Sequence, residues 1–102
     1  MDMNEIMRQA QQMQQKMSQV QNELAGRTVT ASVGGGMVSV TVNGRLELLT
    51  VAIDKEVIDP EDRTMLQDLI VSAVNEGIKK AQEMAQAEMR KITGNMNIPG
   101  IF

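Results

Sequence analysis

Thr28-Val29-Thr30-Ala31-Ser32-Val33-Gly34-Gly35-Gly36-Met37-Val38-Ser39-Val40-Thr41-Val42-Asn43-Gly44 alternates small apolar and hydroxyl side chains on either side of a triple glycine. Alternation with period two places every second side chain on one face of a strand, so residues 28–33 and 38–42 read as half-buried strands with a polar outer face. A slip of one residue would exchange the faces, which makes the register legible. Pairing Val33 with Val38, Ala31 with Val40 and Val29 with Val42 gathers all six on one side and needs a four-residue loop, Gly34 to Met37. Asn43-Gly44 is a strong turn signal leading into a third strand at about 46–53. In unbroken alternation Leu46 and Leu48 face one way and Leu49, Val51 and Ile53 the other, so this strand's register stays open. A strand apolar on both faces calls for cover on both, which a second copy of the chain supplies.

Upstream the period changes. Met3, Ile6, Ala10, Met13, Met17, Val20 and Leu24 are spaced alternately three and four apart, a heptad seam that predicts a helix over 3–25. Gln9, Gln11, Gln12, Gln14, Gln15, Gln19 and Gln21 fill the outer face with good helix formers. Asp2 and Glu5 suit the positive end of the helix dipole, and Gly26 reads as its stop.

Downstream, Asp59-Pro60-Glu61-Asp62 reads as cap, first-turn proline and acidic first turn. Apolar residues recur with helical spacing from Leu66 through Ile92, until Thr93-Gly94. A helix over 60–92 would be roughly 50 Å long, against a radius of gyration of about 13 Å for a compact chain of this size. Such a helix either projects as an arm or packs on another chain. Gly77, inside it, costs about 1 kcal/mol against alanine and permits close helix approach. Residues 95–102 read as a loose tail.

The 102 residues are expected to form one domain, 1–102, whose small core gains from oligomerisation. The chain has no histidine and no cysteine, which excludes Ser-His-Asp and Cys-His catalysis and thiolate or imidazole zinc sites. A single aromatic residue, Phe102, leaves no stacking platform for unpaired bases. No apolar run approaches the ~20 residues of a membrane span. The amide-rich start, MDMNEIMRQAQQ, lacks the basic-then-apolar pattern of a signal peptide, so the cytoplasm is the expected compartment.

Three motifs invite a chemical reading. The triple glycine is not followed by the Gly-Lys-Ser/Thr and helix of a phosphate loop, and a hairpin loop explains it. The acidic run Asp54, Glu56, Asp59, Glu61, Asp62 lacks the ligand spacing of a calcium loop, since counting from Asp54 puts Ile58 at position 5 and Asp59 at position 6. The methionines at seam spacing serve as core or as an adaptable docking surface.

Charge is distributed unevenly. The net charge of −3 gives no overall attraction to nucleic acid. Residues 54–68 carry a local net of −4, whereas residues 79–102 carry +2 from Lys79, Lys80, Arg90 and Lys91 against Glu83 and Glu88. Arg8 and Lys16 lie on the outer face of the first helix. Cations lined along helices are what phosphate contact requires, although an ordinary solvated face has the same composition.

Taken together, Met7-Arg8-Gln9-Ala10-Gln11-Gln12-Met13 with Lys16-Met17, Gly35-Gly36 before Val38, Val40 and Val42, Asn43-Gly44, Val51-Ala52-Ile53-Asp54, Met65-Leu66-Gln67-Asp68-Leu69 and Pro99-Gly100 resemble the bacterial YbaB/EbfC family of nucleoid-associated proteins. The resemblance runs through nearly the whole chain in order. It implies an α+β fold of helix, three-stranded antiparallel sheet and long helix (α-β-β-β-α), dimerising through the sheets with projecting helical arms. It also implies a non-enzymatic, cytoplasmic, nucleoid-associated protein that binds double-stranded DNA, with no cofactor, metal or catalytic residue. The family's DNA-contacting arms map onto Arg8, Lys16, Lys79 and Lys80, and charge adds Arg90 and Lys91. The rival expectation is a non-enzymatic adaptor whose helical seam docks a replication or repair protein.

Overall fold

A computed structural model describes the backbone of residues 2–96 and the side chains through Lys91. In chain order the elements are α1 (Met3–Ala25), β1 (Thr28–Val33), β2 (Val38–Asn43), β3 (Leu48–Ile53), a short 3-10 turn (Lys55–Val57) and α2 (Arg63–Met96). The strands form one antiparallel sheet in the order β1-β2-β3. The architecture is α-β-β-β-α.

Between β1 and β2 the pairs are Val29 with Val42, Ala31 with Val40 and Val33 with Val38, the register that the alternation predicts. The linking loop carries three consecutive left-handed residues, Gly34, Gly35 and Gly36, with φ of 64°, 68° and 92°. Side chains avoid that region, so the glycines are a backbone requirement of the hairpin. The second hairpin differs from its sequence signal. Asn43 N–H donates to the Glu47 carbonyl, which encloses a three-residue loop, and the left-handed position is Leu46 (φ 64°) rather than Gly44. This is the loop type in which a tight turn is closed by one left-handed residue.

The third strand also departs from unbroken alternation. Thr41 pairs with Thr50 but Val42 pairs with Leu48, leaving Leu49 as an extra, bulged residue. Directly opposed residues share a face, so the bulge brings Leu48 onto the same side as Val51 and Ile53.

One helix covers that side. Ala73, Gly77 and Ala81 recur every fourth residue along α2, and Ala73 and Ala81 are fully buried with Ala31, Val38, Val40, Val42 and Val57. A methyl group on Gly77 would lie 2.7 Å from Val40 and 2.9 Å from Val42, so the glycine sets how closely the helix meets the sheet. The helix packs on β1 and β2. β3 is left as an edge, with Leu48, Leu49 and Val51 each two-fifths to one-half exposed.

The long helix begins later than expected. Asp59 forms its own turn, its carboxylate accepting from Glu61 N–H and its carbonyl from Asp62 N–H. The Asp62 carboxylate then accepts from Met65 N–H. Asp62 rather than Asp59 therefore starts the helix, at Arg63 instead of residue 60. The helix also continues through Thr93-Gly94 to Met96, since a glycine inside a helix costs only ~1 kcal/mol. Of the expected tail 95–102, Asn95 and Met96 are thus helical, and 97–102 lie outside the described residues.

The first half of α2 lies over the sheet, and its far half runs beyond it beside the end of α1. The molecule measures 69 × 23 × 16 Å with a radius of gyration of 19.5 Å, well above the ~13 Å of a compact chain. Along α1 the seam is buried at Leu24, half-buried at Val20, Met17 and Met13, and exposed at Ala10, Ile6 and Met3. No helix among the described residues is long and apolar enough to cross a membrane.

Candidate nucleic-acid interface

The two helices position the cations. Asp2 caps α1 by accepting from Asn4 N–H, and Gly26 ends it. The C-terminal end of α1 is anchored at the sheet, where Asn43 closes the junction. The Asn43 side-chain amide donates to the Ala25 carbonyl at 3.3 Å and to Glu47, while its oxygen accepts from the Arg45 and Glu47 amides. This buried asparagine ties the foot of α1 to the β2–β3 turn.

Arg8 and Lys16 are exposed on α1, eight residues and thus ~12 Å apart along the axis. On α2, Lys79 is exposed, and the equally exposed Lys80 is drawn toward the sheet, its Nζ donating to the Thr30 carbonyl at 3.1 Å. Arg90 is exposed on the same helix. Lys79 and Arg90 are eleven residues apart, which returns them to within about 20° of one azimuth after three turns. Lys79 and Arg90 therefore share a stripe, and Lys80 and Lys91 a second one.

The structure adds a residue that the sequence pattern did not single out. Arg27, at the junction of α1 and β1, pairs with Glu88 on α2, across 61 positions of chain. Lys91 Nζ reaches the same Glu88 oxygen at 3.2 Å. The Arg27 guanidinium first, and Lys91 second, hold the Glu88 carboxyl below its ordinary range. The Glu88 side chain is only 17% exposed, while those of Arg27 and Lys91 are 50% and 71% exposed. Nothing local to Arg27 marks this pairing, because it depends on how α2 crosses the sheet.

The acidic run is taken up locally. Asp54, Asp59 and Asp62 each accept a backbone amide at the start of a turn or helix. The grooves at the helices are shallow. One at the junction is lined by Gln21, Arg45, Leu46, Gln82, Ala85 and Gln86, and another along α1 by Gln9, Gln12, Met13 and Lys16. Each mixes apolar surface with amide side chains and one cation, Arg45 in the first and Lys16 in the second.

A sequence model of the YbaB/EbfC DNA-binding family matches residues 1–96. The chain is 60% identical over 95 residues to a nucleoid-associated protein of Syntrophobacter fumaroxidans, covering 93% of this chain and 86% of that protein. It is 52% identical over 101 residues to a nucleoid-associated protein of Pelotomaculum thermopropionicum, covering 99% and 96%. Among solved structures, the crystal structure of an uncharacterized protein from Helicobacter pylori superposes with a TM-score of 0.78 at 31% identity, over 94% of this chain and 97% of that one.

Proposed function

Because the chain belongs to the YbaB/EbfC DNA-binding family, we propose that it binds double-stranded DNA as a homodimer, mainly through the phosphate backbone. Its role is then non-catalytic, in nucleoid organisation or gene regulation, and its location the nucleoid. The observation that carries this reading is the set of exposed cations, Arg8, Lys16, Lys79 and Lys80, on two helices that extend the molecule to 69 Å. Arg90 and Lys91 add one cation to each of the two stripes on α2. Phosphate contacts release counterions, so affinity should fall steeply with salt. Titration of a duplex at two salt concentrations tests this, and no binding at low salt would sink it.

The homodimer rests on β3. Val71 is 60% exposed and lies nine residues, hence two and a half turns, before Lys80, whose ammonium reaches β1. Val71 therefore flanks the opposite, β3 side of α2. Together with Leu48, Val51 and the unpaired edge of β3 it forms an apolar margin of the kind that a second sheet covers.

A second reading, a protein-docking adaptor for a replication or repair partner, draws on the exposed seam at the start of α1, where Met3 is 71% and Ile6 46% exposed. It requires that Met13 or Met17 substitutions abolish partner capture while Lys79→Glu/Lys80→Glu leaves function intact.

A further inference from the structure

Arg27 and Lys91 come from different elements and converge on a single carboxylate oxygen, Glu88 Oε1. Two donors on one oxygen leave the cluster with a surplus positive charge and with both cations facing solvent on their outer sides. A phosphodiester presents two non-bridging oxygens, so a guanidinium and an ammonium can each take one without sharing. The cluster also stands beside the β2–β3 turn, where Gly44 N–H donates to the Arg27 carbonyl at 3.0 Å.

Resting on the DNA-binding reading above, we propose that Arg27 and Lys91 form a backbone-phosphate subsite that Glu88 fills in the free protein, and that a DNA phosphate displaces the Glu88 carboxylate. Glu88 is then an internal competitor. It keeps two cations ordered and neutralised until a duplex lies along the helices, and it lowers affinity for isolated anions. Arg27 fixes where the duplex meets the junction, because its backbone is held between the α1 stop and β1, with Arg27 N–H donating to the Leu24 carbonyl at 3.2 Å.

The test is duplex binding at several salt concentrations by the wild-type chain, Glu88→Gln, Arg27→Gln and the double variant, with thermal melting and sedimentation of each. Removing a carboxylate from two phosphate-facing cations is expected to tighten Glu88→Gln binding roughly fivefold at low salt and to steepen its log–log salt slope by about 1. Arg27→Gln should weaken binding and flatten the slope by about 1, and the double variant should lose the gain of Glu88→Gln. If Glu88→Gln melts at a lower temperature, the Arg27→Gln slope decides alone. An Arg27→Gln slope equal to the wild type's, unchanged or weaker binding by a Glu88→Gln that melts as the wild type does, or a gain that survives Arg27→Gln overturns the subsite and leaves the DNA reading standing. Absence of wild-type binding at low salt overturns both.

Discussion

Gly44 N–H donates to the Leu24 carbonyl at 2.9 Å, and a methyl group added at Gly44 would lie 2.7 Å from Leu24 Cδ2 and 2.9 Å from that carbonyl oxygen. The β2–β3 turn is thus pressed against the last turn of α1, and Leu24 is the one seam residue fully buried. Gly44→Ala must push backbone away from backbone. It is expected to cost about 2–3 kcal/mol, measured by chemical denaturation. Unchanged stability would mean that α1 is not held at this junction.

At Gly77 two effects oppose each other. Alanine gains ~1 kcal/mol in helix propensity, but its methyl would overlap Val40 and Val42 on the sheet. Backbone separation in a packed core costs more than that, so Gly77→Ala should lower stability by roughly 1–2 kcal/mol net. A more stable variant would show that α2 can slide without penalty.

Leu46 occupies a left-handed conformation at φ 64° while remaining nearly half exposed. A branched side chain there is strained by about 1–2 kcal/mol, and glycine relieves the strain at some cost in chain entropy. Leu46→Gly is expected to raise stability by about 0.5–1 kcal/mol, read as a higher melting temperature.

The edge strand supplies a test of association. Val51→Lys places a charge at the uncovered margin of β3, where Val51 is 41% exposed although it pairs with Val40. Sedimentation should then show a folded 11.2 kDa monomer at concentrations where the wild type is dimeric. A wild-type chain that sediments as a stable monomer at micromolar concentration would refute the homodimer.

Glu88 makes stability depend on pH. Its folded-state carboxyl is held below the ordinary 4.5 by Arg27 and Lys91, so the folded chain binds the proton less readily than the unfolded one. The stabilisation is present above about pH 4.5 and is lost as pH falls through the lowered value. Melting curves between pH 6 and 3 should show a steeper acid loss for the wild type than for Glu88→Gln.

The element types and the β1–β2 register were legible in the order of residues, because period, glycine conformation and apolar spacing are local properties. A heptad of Met, Ile, Ala, Val and Leu can bury its seam only as a helix, and Val33 to Val38 across three glycines can gather six apolar side chains in only one register. Asp62 as the helix cap, Leu49 as a bulge and Leu46 in the left-handed position were not legible, since each competes closely with a neighbour and packing breaks the tie. Gly44 was read as a turn residue, and its tight constraint comes from Leu24, twenty positions away. Among the cations, sequence placed Arg8, Lys16, Lys79 and Lys80 on helices but was blind to Arg27. Its partner Glu88 lies 61 residues on, and only the crossing of α2 over the sheet brings the two charges within reach.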